Sequence, residues 1–200
     1  MSLAPPTAWI NGCTNAHAAL LADLDGLTDS QARQPSRLPD WSVGHLLTHI
    51  ARNADSVVRR LEGAKRGEVL TQYAGGIEGR WADIAAGADR SAAELVADVR
   101  ASATAVDQLI TGLPPALWDA HSITSRGVEE DARAVVFSRW REVAVHHGDL
   151  GLTEVPVPLP PELVSDWLPM ELVNLPGRGD PQALLTWIIG RGPAPDLEPW

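Results

Sequence analysis

The segment "SVGHLLTHIARNADSVVRRLEG", residues 42–63, carries Val43, Leu46, Leu47, Ile50, Ala54, Val57, Val58 and Leu61 on one stripe of 3.6-residue period. A helix with so long an apolar stripe must bury it against other helices or a sheet. Three more segments follow the same rule. Residues 8–24 have apolar positions at helical spacing and end near the Asp25-Gly26 turn signal. Ser91 and Glu94 have the spacing of a capping box, opening a helix that stops at Gly112. A fourth helix covers about residues 130–148. In the second, Ser42 reads as the N-cap and Gly63 as the close.

Between these segments, residues 64–89 are irregular and glycine-rich, with a short helix expected around "EGRWADIAA". After "DLGL", the run "TEVPVPLPP" reads as an extended connector, because proline neither continues a helix nor donates to a ladder. Two short helical patterns follow, "PELVSDWLPMELVNL" and "DPQALLTWIIGRG". Strand-like alternation is scarce and there is no internal repeat. The expected fold is therefore mainly α: a four-helix bundle over residues 1–152, and a short helical C-terminal segment over residues 153–200.

Composition narrows the function. A net charge of −10 argues against nucleic acid and anionic membranes as partners, both of which need a basic surface. No apolar run approaches the roughly 20 residues that span a bilayer. "MSLAPPTAWING" lacks the basic-then-apolar pattern of a signal peptide. Cys13 is the single cysteine, so no internal disulfide forms, and a cytoplasmic location is expected. No basic neighbour of Cys13 is visible in sequence, which makes it a buried helix residue rather than a reactive thiol. The eight tryptophans are scattered and read as packing residues.

The chemistry concentrates in "FSRWREVAVHHGDLGL", residues 137–152. Glu142 and His146 are four apart, hence on one helical face. Helix bundles build metal sites from facing helices, and His49 lies close to the apolar stripe of the second. Two imidazoles and a carboxylate leave coordination positions open in zinc enzymes, and they also suit a non-haem iron. Spacing alone equally allows hydrogen-bonded core histidines beside a partly solvated glutamate.

The pattern as a whole is more specific. "LPDWSVGHLLTHIARNADSVVRRL" and "RWREVAVHHGDLGL" resemble the two signature segments of the mycothiol-dependent maleylpyruvate isomerase family, within the DinB-like group of metal-binding four-helix bundles. The first motif is a tryptophan-led helix start with a histidine, which falls on His49. The second falls on Arg141, Glu142, His146, Asp149 and Leu150. The resemblance runs over about residues 10–152 and returns at "WIIGRG" with Pro199 and Trp200. It implies that His49, Glu142 and His146 hold a divalent metal, usually taken as zinc. Asp149 is placed to accept the other N–H of His146 and fix its tautomer. His45 and His147 fall outside the motif, and His17 and His121 belong to no constellation. The family's essential arginines fall on Arg80 and Arg191, which would bind the carboxylates of the substrate. Family members usually carry a C-terminal α/β domain; here that region is cut to roughly "PPELVSDWLPMELVNLPGRGD", with no convincing strand.

The activity implied is isomerisation of maleylpyruvate, or of a similar unsaturated dicarboxylate, to the fumaryl form. A thiolate adds to the conjugated double bond, the bond rotates as a single bond, and the thiolate leaves. Coordination to the metal would keep the mycothiol sulfur deprotonated at neutral pH. Two other readings stay open. One is a mycothiol S-transferase that attacks an electrophile, which the shortened C-terminus favours. The other is a metal-binding bundle without catalysis.

Overall fold

The structure, a computed structural model, describes residues 4–153 and 157–197. Part of the proline connector (Pro156) and the terminal Pro199 and Trp200 lie outside the described residues. The chain divides into two compact units, one ending at Pro158 and the other starting at Leu159.

The first unit contains α1 (Thr7–Asp23), the one-turn α2 (Asp29–Ala32), α3 (Val43–Lys65), α4 (Gly76–Gly87), α5 (Ala92–Thr111), a 3-10 turn (Pro115–Leu117), strands β1 (His121–Ile123) and β2 (Glu129–Asp131), and α6 (Ala132–Asp149). The helix starts are set by side chains that satisfy orphan N–H groups. Ser42 and Ser91 accept from the backbone N–H groups of His45 and Glu94, each at 3.3 Å, and both caps are reciprocated by those side chains. Asp131 caps α6, accepting from Ala134 N–H at 2.8 Å. That helix therefore begins at Ala132 rather than Glu130, because Glu129–Asp131 pairs with His121–Ile123 as an antiparallel ladder. The hairpin is too short and too polar to show in sequence. Gly63 does not close α3, which runs on to Lys65. A Cβ there would meet Leu70 Cδ1 at 2.7 Å, so this glycine admits a returning loop instead.

Helix directions follow from paired residues. His17 and Asp23 of α1 meet Arg139 and His147 of α6, so these two helices run parallel. Thr48 and Arg52 of α3 meet Arg90, at the start of α5, and Asp98, giving a second parallel pair. His49 and Arg60 of α3 meet Glu142 of α6 and Glu130 just before it, so α3 and α6 are antiparallel. Two parallel helices need a long crossover, and α4 lies within the one that joins α3 to α5. Gly44 makes the turn of α3 against this crossover possible, since a Cβ at Gly44 would strike the Ala88 carbonyl. The core between the helices is mainly apolar, with Leu20, Leu46, Leu47, Ile50, Leu95, Val106, Val136 and Val143 all buried, but it also encloses His17, Asn53 and Arg139.

The second unit contains α7 (Pro161–Asn174), a 3-10 turn (Leu175–Gly177) and α8 (Pro181–Ile188), with no strand among the described residues. Asp180 caps α8, and Glu171 ties Trp167 Nε1 (2.7 Å) to Arg178 (2.9 Å). Of the apolar residues of α8, Leu184 is buried whereas Leu185, Trp187 and Ile188 are exposed. Among the described residues, no helix is long and apolar enough to cross a membrane.

Candidate metal centre

His49, near the start of α3, and Glu142 and His146, near the end of α6, converge because those helices are antiparallel neighbours. Their ligand atoms all lie within 4.8 Å of one another. His49 Nε2 is 3.1 Å and His146 Nε2 3.5 Å from the same oxygen, Glu142 Oε2. His49 is buried, while Glu142 and His146 retain partial exposure, so one side of the cluster faces solvent. Asp149 Oδ2 lies 2.9 Å from His146 Nδ1, as the spacing predicts, which leaves Nε2 of that ring for a ligand.

The electrostatics are those of a cation site. Burial pushes His49 down to about 4, against the pull of Glu142, so it is neutral at pH 7. Burial also acts on His146, but hydrogen bonds to Asp149 and Glu142 outweigh it and carry the group up to about 9. Glu142 loses hydration too, yet its bonds to both histidines hold it far below the usual carboxylate range. A neutral imidazole, an anion, and a second imidazole whose proton is held by acidic partners form a donor set that a divalent cation fits.

Arg80, delivered by α4, places Nη2 3.1 Å from His49 Nδ1. Its guanidinium lies over the Trp81 ring at 4.7 Å and the Tyr73 ring at 5.9 Å. Arg191 follows α8 in the second unit, where it is exposed. His45 is committed to the cap of α3, and His147 bonds Asp23 at 2.9 Å.

Two features escape the sequence reading. Trp41 and Trp81 meet edge-to-face with ring centroids 5.7 Å apart, and Trp41 stands 5.6 Å from His49. Two of the scattered tryptophans thus form an aromatic wall beside the site. Asp40, whose φ is 63°, turns the chain just ahead of Trp41, a conformation aspartate tolerates better than most residues. The second feature is a buried cluster of Cys13, His17 and Asp107, whose ligand atoms also fall within 4.8 Å. Arg139 reaches into this cluster and donates from Nε to His17 Nε2 at 3.1 Å. So Cys13 does have a basic neighbour, but burial prevails and pushes its thiol up to about 12. The signal for Arg139 was present: it falls on the stripe of Val135, Val136 and Val143, where a charge has no place in a purely apolar core.

Residues 13–151 match the family described as Mycothiol maleylpyruvate isomerase N-terminal domain. Two solved structures share the fold: that of the mycothiol-dependent maleylpyruvate isomerase, at 22% identity, and that of a histidine-to-alanine mutant of it, at 21%. Each superposes with a TM-score of 0.74, over 80% of this chain and 66% of the other. This chain thus spans just under two thirds of their length. No curated protein matches it. The match over most of the first unit, together with the shared helical fold, makes this chain a member of the mycothiol maleylpyruvate isomerase N-terminal domain family.

Proposed function

We propose that this protein is a metal- and mycothiol-dependent cis-trans isomerase of maleylpyruvate or a similar unsaturated dicarboxylate. The observation that carries the reading is the convergence of His49 Nε2, Glu142 Oε2 and His146 Nε2, with the Arg80 guanidinium beside them. These three residues would hold a divalent metal, most simply zinc, which when bound would keep a thiol sulfur in its nucleophilic thiolate form.

The chain's own residues supply the rest. Asp149 orients His146 and holds its Nδ1 proton. Arg80 is a planar donor, pre-set against Trp81, for a substrate carboxylate. Trp41 and Trp81 give one side of the site an apolar, aromatic surface. Arg191 is assigned a second carboxylate on the strength of the "GRG" pattern. Arg191→Lys keeps the charge and loses the fork, with an expected loss of about tenfold in kcat/KM, on the order of 1.4 kcal/mol.

A second reading, a mycothiol S-transferase, is favoured by the second unit, which is helical and carries no strand among the described residues. Turnover of maleylpyruvate and of a bimane electrophile, each measured with and without mycothiol, separates the two. Thiol-dependent isomerisation supports the first reading, and thiol-dependent consumption of the bimane alone supports the second. Metal binding with neither activity would leave a non-catalytic bundle.

A further inference from the structure

Arg139 lies on α6 one turn before Glu142, and it is 1% exposed. Its Nη1 donates to the Ile50 carbonyl at 2.8 Å and to Asn53 Oδ1 at 2.9 Å, both on α3. Its Nε donates to His17 Nε2 on α1 at 3.1 Å, and His17 Nδ1 bonds Asp107 Oδ1 on α5 at 2.8 Å. One guanidinium therefore links all four long helices of the bundle. Its Nη2 is buried with no hydrogen-bond partner among the described residues.

As a source of stability this arrangement is poor. A buried cation loses its hydration, an unsatisfied donor adds to that loss, and an apolar side chain of similar volume often serves a core as well or better. Its location suggests another use. Ile50 directly follows His49, and Arg139 directly precedes the turn that carries Glu142. The bonds from Nη1 thus set the register of α3 against α6 at the level where the ligand atoms meet. Apolar packing between α3 and α6 is non-directional and tolerates a small axial slide. Metal coordination does not, since ligand distances must fall within about 0.2 Å of their preferred values.

We infer that Arg139 is a positioning residue for the metal centre: it locks the two ligand-bearing helices in the register that brings His49 to Glu142 and His146. The inference rests on the metal reading of that site.

The test uses the full chain. Zinc affinity is measured by competition with a chromophoric chelator, and Tm is measured on the metal-free protein. Arg139→Met is expected to keep Tm within a few degrees of wild type, or to raise it, while weakening zinc binding about tenfold or more. Arg139→Lys, which can still donate to Ile50 or Asn53, should recover part of that affinity. Leu61→Ala, more than three turns beyond His49 on α3, should lower Tm clearly yet leave zinc affinity within about threefold. If Arg139→Met does not fold, Asn53→Ala removes only the α3 acceptor and should weaken zinc by a smaller but measurable factor. Unchanged zinc affinity in these variants overturns the inference, and so does a loss that Leu61→Ala reproduces in proportion to its Tm. A wild-type protein that binds no zinc, or that keeps it after Glu142→Gln, defeats the metal reading itself.

Discussion

Cys13, His17 and Asp107 bring their ligand atoms within 4.8 Å of one another, and so do His49, Glu142 and His146. Both groups lie inside the same bundle and join side chains from different helices, and each contains at least one histidine and one carboxylate. In the first, the position a metal would take is contested by Arg139, whose N–H already occupies His17 Nε2. Burial, helped by Arg139 and opposed by Asp107, keeps His17 neutral as the acceptor of that bond. In the second, the arginine approaches from behind, at His49 Nδ1, and leaves the ligand side to Glu142. The lesson is that proximity of ligand atoms does not define a metal site. The two clusters differ in where the arginine donates: onto a ligand nitrogen, His17 Nε2, in the first, and onto the opposite ring nitrogen, His49 Nδ1, in the second.

The comparison breaks most visibly at Glu142. Glu142→Gln removes the only anion among the three candidate ligands, and metal per chain in the purified protein should fall well below one. A full complement of metal in that variant would mean the ion sits elsewhere, with the Cys13 cluster the first place to look. Next in size is Asp149→Asn, which weakens the bond that orients His146; zinc affinity should drop about 10- to 100-fold. An unaltered affinity would show that His146 needs no such support.

A pH series sharpens the contrast between loaded and metal-free protein. His49 titrates lower in the folded state than its ordinary 6.5, so the unfolded chain binds the proton more readily and stability falls as pH drops from about 6.5 to about 4. His146 titrates higher, so its contribution is complete below about 6.5 and is lost as pH rises towards about 9. As far as this site governs it, Tm of the metal-free protein should peak near neutrality. Zinc takes the place of the His146 proton, so the gap in Tm between loaded and metal-free protein should widen from pH 6.5 to 9. Parallel melting curves across that range would contradict the assignment of His146. The smallest effect belongs to Cys13→Ala: metal content and turnover unchanged, and Tm lowered by a few degrees for a lost buried sulfur. A fall in metal content there would erase the distinction between the clusters.

What was legible in the sequence was local. Ser42, Ser91 and the apolar stripe of α3 announce helices because capping and amphipathicity act over three or four residues, and Glu142, His146 and Asp149 are related by the same short spacing. Pairing His49 with them required the family pattern, because 93 residues separate it from Glu142. The His17–Asp107 and His17–Arg139 bonds span 90 and 122 residues, and no periodicity encodes them. Gly63 misled for a related reason: it resembles a helix stop, but its bareness serves Leu70 from the following loop. Arg141, the arginine of the Arg-Glu motif, stands over the Phe137 ring at 5.2 Å, whereas Arg139, two residues earlier, carries the interhelical bonds.

The parallel and antiparallel arrangement of the four long helices also has a meaning in time. Small helical bundles fold fast when their contacts are local, but here α6 supplies two of the three candidate ligands and the buried arginine, and it is the last long helix of its unit to be made. At about 5–20 residues per second, His49 leaves the ribosome on the order of 5–20 s before Glu142. During that interval the candidate site has His49 alone and no partner helix to set its register. During synthesis, then, the contacts that bring the three candidate ligands together wait for α6, the last long helix of its unit.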